Sequence, residues 1–255
     1  MKNHIHEYWE SQAKKYGSSH YASWTDSYVI DLEIQTIGQY IGDGHEVLDV
    51  GCANGYSTLH HVDKNIRRIV GVDFAESMIQ EANNNRSRVQ PDCETLFKVA
   101  DARSLPFDSN SFDIVYTTRT LINLPTWKDQ QIAMRECIRV CKQKGTIIFS
   151  EAFWEPLCCL NGLRAIAKLP FLAEHECNRF LKKSAVVEFL TSLHLMYDVI
   201  DFCSIYYLGT RFLQELITSQ CHSEHPDIIG KTFYDLEQHY SGGEFGIQQA
   251  FVVSK

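Results

Sequence analysis

Three short stretches of the sequence hold residue types that suit the binding of a nucleoside-like ligand. The first is Val47-Leu-Asp-Val-Gly51-Cys52-Ala53-Asn-Gly55-Tyr-Ser-Thr58, where a short apolar run breaks into small residues and then into helical periodicity. Gly51 and Gly55 permit tight backbone turns, so a ligand can approach main-chain N–H groups near a helix N-terminus. The second is Ile69-Val-Gly-Val-Asp73-Phe74. Asp73 follows the glycines at the spacing where a carboxylate at a strand end accepts hydrogen bonds from ribose hydroxyls, and it suits equally the start of the next helix. The third is Lys98-Val-Ala-Asp101-Ala102. Asp101 is placed to accept from an exocyclic adenine amine. A glycine turn by itself can be only a turn, but three such features in register on successive strand ends form one coherent site.

A second set of residues suits the other half of a reaction. The stretch Thr117-Thr118-Arg119-Thr-Leu-Ile-Asn123 ends a further apolar run, where open α/β sheets bind ligands. Thr118 is expected on the cofactor side. Arg119 can clamp an acidic substrate group or form an ion pair, and Asn123 is expected to face the acceptor. Glu151 ends the next apolar run and is the best-placed carboxylate for orienting or deprotonating an acceptor. A structural hydrogen bond to the neighbouring turn is its competing role. Tyr8, Tyr16 and Tyr21 lie on an N-terminal segment suited to covering a bound cofactor, Tyr16 on the cofactor side and Tyr21 toward the acceptor. Tyr206, Tyr207 and Arg211 are candidates for the acceptor pocket.

The elements that must position these groups follow from hydrophobic patterning. Strands are expected at Glu46–Val50, Arg68–Asp73, Thr95–Ala100, Asp113–Thr118 and Thr146–Phe153, mostly as the continuous apolar runs of parallel strands buried on both faces. Between the last two, Thr126 and Asp129 form a capping box. Met134, Ile138 and Cys141 share one helical face, and Gly145 marks the end. Residues 4–16 read as a helix, 154–195 as helices interrupted by Pro156, Gly162 and Pro170, 198–208 and 247–253 as β-rich, and 219–243 as a long loop. Repeated βα units of this kind predict a Rossmann-like, doubly wound α/β fold with a mostly parallel seven-stranded sheet and helices on both faces. The expected organisation is a helical cap over 1–45, a cofactor-binding core over 46–153, and a lid with closing strands over 154–255.

Composition narrows the function classes. Apolar residues make up 44% and charged residues 22% of 255, which is ordinary for a soluble globular chain. A net charge of −8 disfavours a nucleic-acid partner or a polybasic membrane tether. Nine cysteines form no regular framework, the first ten residues lack the apolar core of a secretory signal, and no apolar run is long enough to span a membrane, so a cytoplasmic location is expected. His175-Glu-Cys177 after Cys158-Cys159, and Cys221-His222-Ser-Glu-His225, contain ligand-type residues without paired zinc spacing, so no metal is expected.

The core resembles the class I S-adenosylmethionine-dependent methyltransferases, especially those acting on small molecules. Leu-Asp-Val-Gly-Cys-Ala-Asn-Gly at 48–55, Gly-Val-Asp-Phe-Ala-Glu-Ser-Met-Ile at 71–79, Ala-Asp-Ala-Arg-Ser-Leu-Pro-Phe at 100–107, Phe-Asp-Ile-Val-Tyr at 112–116 and Arg-Val-Cys-Lys-Gln-Lys-Gly at 139–145 carry the likeness. The resemblance implies S-adenosylmethionine as cofactor. Gly51, Cys52, Ala53 and Gly55 would lie at its methionine part, Asp73 at the ribose, Asp101 and Ala102 at the adenine, and Phe74 and Met78 around the adenosine. The family often has glycine where this chain has Ala53. A nicotinamide dehydrogenase on the same fold would prefer Gly-x-Gly-x-x-Gly and gives no reason for an acid at 101. The function expected is methyl transfer to oxygen or nitrogen of a small molecule, a saccharide or a secondary-metabolite intermediate. A non-catalytic cofactor-binding partner or regulator is the alternative, and a protein or RNA methyltransferase is further removed. The oligomeric state is not legible.

Overall fold

A computed structural model describes residues 2–220, 226–240 and 242–255. Helices α1 (Lys2–Tyr16) and α2 (Ser27–Gly38) precede strand β1 (Glu46–Val50). The short helix α3 (Tyr56–Leu59), β2 (Arg68–Asp73), α4 (Glu76–Val89), β3 (Glu94–Val99), β4 (Phe112–Thr118), α5 (Trp127–Val140) and β5 (Cys141–Ala152) follow. After β5 come α6 (Trp154–Ile166), α7 (Lys183–Ser192), β6 (Met196–Ile200), α8 (Ser204–Leu208), a π turn at Gly209–Leu213, α9 (Gln214–Gln220), α10 (Pro226–Glu237) and β7 (Gln248–Ser254). One seven-stranded sheet has the order β3-β2-β1-β4-β5-β7-β6. The first five strands are parallel, and β7 runs antiparallel to β5 and β6.

The period-2 alternation of strand side chains divides the core into two layers. Val47, Ile69, Ile114, Tyr116 and Ile148 face the layer that holds Val29 and Leu32 of α2, Ile79 of α4 and Leu157 and Leu160 of α6. Their neighbours Leu48, Val70, Val115, Ile147 and Phe149 face Met134 and Cys137 of α5 and Phe189 and Leu190 of α7. This is the expected doubly wound arrangement. The segment before β1 is part of that core, since Val29, Ile30 and Ile37 are fully buried.

Several local expectations need correction. Helix α5 has its predicted cap, with Asp129 N–H donating to Thr126 Oγ1 at 3.1 Å, but it passes directly into β5 at Cys141. Gly145 therefore lies inside a strand, where an added Cβ would stand 2.7 Å from Asp113 O. Pro156 falls in the first turn of α6, a position that needs no N–H partner, so it interrupts nothing. The β-rich stretch 198–208 is a strand only to Ile200 and then turns into α8. Residues 226–237 of the expected loop form α10.

Arg164 ties this C-terminal region together. Its side chain is 2% exposed and donates to Pro170 O at 2.6 Å, to Arg211 O, and to Glu215 Oε2 at 2.7 Å. One guanidinium thus joins α6, the loop after it, the π turn and α9. Arg164→Met keeps the apolar stem and removes these donors, leaving buried carbonyls unpaired. Hydrogen exchange should then speed up in 167–173 and 209–217 while β1, β4 and β5 remain protected. Uniform acceleration through the sheet would refute this local role.

Candidate active site

The sheet order reverses direction between β1 and β4, and the crevice at such a switch point is where open α/β sheets bind ligands. The turn after β1 forms one wall. Gly51 has φ +84°, and a Cβ there would stand 1.9 Å from Thr120 Oγ1, so only glycine fits. Gly55, at φ +73°, starts α3 with Phe97 pressed against it. Ala53 is left-handed as well, at φ +47°. An L-residue in that region costs roughly 1–2 kcal/mol, which accounts for the preference for glycine at this position. Asn54 is buried, and its Nδ2 donates to Gly17 O and Ser19 O at 2.9 and 2.8 Å, pinning the N-terminal segment to the turn.

Asp73 performs one of its two expected jobs visibly. Its Oδ2 accepts from Ala53 N at 3.0 Å and its Oδ1 from Ala75 N at 2.9 Å, joining the glycine turn to the start of α4. Burial pushes its pKa up to about 6, with these donors opposing the shift. A carboxylate has about four acceptor positions, so capacity remains for ligand hydroxyls. Asp101 takes Arg103 Nε at 2.8 Å and Arg103 N at 2.9 Å, and Arg103 also reaches Asp129. The carboxylate proposed for adenine is thus also half of an ion pair.

The loop after β4 forms the facing wall. Thr120 Oγ1 donates to Val50 O at 2.9 Å, locking this loop against the glycine turn. Arg119 has φ +52°, its guanidinium lies over Trp24 at 5.0 Å, and it pairs with the buried Glu33 of α2. Glu33 also accepts from Ser150 Oγ at 2.6 Å. Burial raises the Glu33 pKa, and Arg119 and Ser150 pull it back. Asn123 Nδ2 donates to Arg119 O at 2.7 Å, which leaves its Oδ1 buried and without a partner.

Together these groups enclose a cavity of about 620 Å3. Gly51, Cys52, Ala53, Asp73, Phe74, Asp101, Ala102, Thr118, Arg119, Asn123 and Arg211 all line it, as does Tyr207. Ile5, His6 and Trp9 of α1 and Leu172, His175 and Phe180 of the segment after α6 line it as well.

Several predicted residues, Gly55 and Tyr8 among them, are not brought to the cavity lining. Met78 is fully buried with Ala13, Ala22 and Ala75, where it seats α1 on α4. Tyr16 packs on the same cluster, and Tyr21 is 47% exposed. Tyr206 is buried with its hydroxyl on Asp26 Oδ1 at 2.9 Å, so its neighbour Tyr207 takes the cavity position. Glu151 is fully buried behind the wall. Its Oε1 accepts from Thr117 Oγ1, Thr120 N and Leu121 N at 2.7–3.1 Å, and its Oε2 from Ile122 N at 3.3 Å. Burial pushes its pKa up to about 7 against those four donors. Arg119 and Asn123 therefore share the cavity, whereas Glu151 stands behind its wall and holds the loop.

Glu33, Asp26 and Trp24 are the additions. Asp26 stands where a helix N-cap belongs, and Glu33 falls on the apolar Ile30-Ile34-Ile37 face of α2, so a carboxylate out of pattern was the available signal. Among the described residues, no group of three or more His, Cys, Asp or Glu is gathered to hold a metal. Residues 221–225 with Cys221, His222 and His225 lie outside them. No helix among the described residues is long and apolar enough to cross a membrane.

Residues 48–149 match the family model of a methyltransferase domain. These residues form a methyltransferase domain, and the chain is similar to class I S-adenosylmethionine-dependent methyltransferases. It is 27% identical over 113 residues to the 27-O-demethylrifamycin SV methyltransferase of Amycolatopsis mediterranei, covering 44% of this chain and 40% of that protein. It is 27% identical over 167 residues to the ubiquinone biosynthesis O-methyltransferase of Coxiella burnetii, covering 64% and 68%. The chain spans about half the length of the first curated relatives it matches. A crystal structure of the [4+2]-cyclase SpnF superposes with a TM-score of 0.59 at 19% identity, over 88% of this chain and 80% of that one. A geranyl diphosphate methyltransferase solved with its cofactor gives 0.57 at 13%, over 88% and 84%. At such identities the likeness is one of fold, and a cyclase and a methyltransferase already differ in chemistry.

Glu151→Gln separates a wall-building carboxylate from a proton acceptor. The amide would turn an N–H2 toward buried donors, each costing about 1–3 kcal/mol when unpaired. Denaturant titration should show a loss of about 2–5 kcal/mol. Unchanged stability with abolished methyl transfer would restore the proton-accepting role.

Proposed function

We propose that the protein transfers a methyl group from S-adenosylmethionine to an oxygen of a small, partly apolar acceptor. The observation that carries this reading is the alignment of the glycine turn, Asp73 and Asp101 at the carboxyl ends of three adjacent parallel strands, all on one cavity. In this reading the small residues Gly51, Cys52 and Ala53 of the turn border the methionine end of the cofactor. Asp73 accepts from the ribose hydroxyls beyond its two backbone donors, and Asp101 with Ala102 borders the adenine. When bound, the cofactor supplies an electrophilic methyl on a sulfonium. The chain's own contribution is to hold an acceptor on the methyl axis and to exclude water, with α1 and the 172–180 segment as covers.

The acceptor side narrows the substrate class. Ile122, Leu124, Leu157, Leu172, Phe180 and Ile247 line the cavity, and an aliphatic and aromatic wall suits a secondary-metabolite-like molecule better than a saccharide. The relatives from Amycolatopsis and Coxiella are by name a 27-O-demethylrifamycin SV methyltransferase and a ubiquinone biosynthesis O-methyltransferase, which supports an oxygen acceptor. Arg119 and Asn123 are the proposed acceptor contacts from the β4 loop.

Asp73→Asn tests the cofactor half with little change in shape. Replacing the charged acceptor weakens hydrogen bonds worth about 1.5–3 kcal/mol each, so affinity for S-adenosylhomocysteine should fall at least about 10-fold by calorimetry. Equal affinity in parent and variant would remove Asp73 from the site.

A further inference from the structure

Two arginines stand on the acceptor side of the cavity, and both are held from behind by α2. Asp26, the N-cap of that helix, pairs with Arg211, and Glu33, two turns further on, pairs with Arg119. The carboxylates are fixed in turn. Asp26 accepts from Val29 N at 3.3 Å and from the Tyr206 hydroxyl at 2.9 Å, and Glu33 accepts from Ser150 Oγ. Each guanidinium also lies against an aromatic ring that lines the cavity, Arg119 on Trp24 at 5.0 Å and Arg211 on Tyr207 at 5.2 Å. Burial pushes the Tyr207 pKa well up, and the Arg211 and Arg119 guanidiniums pull it partly back. Ring and ion pair together hold planar groups that otherwise lose much rotamer freedom on binding.

The distribution of charge along the lining has a direction. Among the described residues, the carboxylates that line the cavity are Asp73 and Asp101, at the ends of β2 and β3. Asp26 and Glu33 do not line it. The acceptor side therefore presents guanidinium N–H groups and no carboxylate. A guanidinium carries five N–H donors, and a single carboxylate partner cannot use them all. A protonated amine entering this space would find no carboxylate in the wall to accept from, because Asp26 and Glu33 are engaged behind the guanidiniums. An oxyanion would meet two planar donors of the kind suited to forked hydrogen bonds.

We propose that Arg119 and Arg211 form a two-point recognition site for an oxygen acid, so that the acceptor is an apolar molecule carrying a phenol, enol or carboxylic acid bound as its oxyanion. This rests on the methyltransferase reading given above. The guanidiniums favour the ionised form of the acid, so its proton goes to solvent on binding and no carboxylate base is required beside it. A lone pair of that oxygen forms the new O–CH3 bond while the sulfur–methyl bond breaks and its electrons return to sulfur, leaving a neutral thioether. Discrimination against amines then comes from N–H donors without a facing carboxylate in the wall rather than from shape.

The test uses the full chain saturated with S-adenosylhomocysteine and two probes of one shape, benzoate and benzylammonium, followed by calorimetry and by Trp fluorescence. Benzoate should bind at least about 10-fold more tightly than benzylammonium, as expected for charge-assisted contacts worth a tenfold step or more. Arg211→Gln and Arg119→Gln should each lose that preference while S-adenosylhomocysteine affinity stays within about 3-fold. Arg211→Lys should recover the charge preference only in part, because the fork is lost. Thermal melting identifies a variant that fails to fold, and the other arginine then carries the test. Equal binding of the probes, binding of neither, or full preference in the glutamine variants overturns the oxyanion site. Failure of S-adenosylhomocysteine to bind the parent would overturn the underlying methyltransferase reading instead.

Discussion

A buried carboxylate that touches no ligand space organises the cavity. Glu151 sits behind the wall of the crevice and gathers four donors, three of them backbone N–H groups of the 120–122 turn. A turn placed at a strand end inside the protein would otherwise leave those N–H groups without partners, at about 1–3 kcal/mol each. Once the turn is held, Thr120 reaches back to Val50 O and fills the space in front of Gly51. The same turn places the Arg119 guanidinium on Trp24 and the Asn123 amide on Arg119 O. Both walls of the cavity therefore depend on a group that the chemistry never sees.

The cost of this arrangement is spread over buried charge and strained backbone. Asp73 and Glu151 are held where burial pushes their pKa values up to about 6 and about 7. Each is stabilised as an anion by convergent donors rather than by a cation. Glu33 is the exception, buried and paired with Arg119. Ala53 and Arg119 both adopt left-handed backbone without being glycine. Such positions persist when surrounding structure over-determines them, and they concentrate where a ligand must be approached closely. Here they flank the β1–β4 switch point on both sides.

Much of the fold was legible in the sequence because buried parallel strands write themselves as unbroken apolar runs. Glu46–Val50 and Arg68–Asp73 are the observed strands residue for residue, and Thr126 caps α5 as its hydroxyl and Asp129 suggest. The cavity wall proposed for the cofactor was equally accessible, since Gly51, Asp73 and Asp101 stand at or just past the ends of strands that periodicity located. The facing wall was not. Its residues come from α2, the β4 loop and the π turn at 209–213, brought together by Asp26–Arg211 and Glu33–Arg119 pairs 86 to 185 positions apart in the chain. Local patterning carries no record of such pairings. Glu151 looked like a catalytic carboxylate for the same reason, because position on a strand says where a side chain begins and not which backbone it will satisfy. Tyr206 and Tyr207 were placed on a strand when α8 sets one behind the wall and the other in it.

A crystal structure of the protein with S-adenosylhomocysteine tests the central claim most directly. The account predicts the ribose hydroxyls on Asp73, the adenine beside Asp101 and Ala102, and the sulfur turned toward the Arg119–Asn123 loop, with Glu151 still buried behind it. Density for the ligand outside this cavity, or a sulfur facing away from that loop, would contradict it.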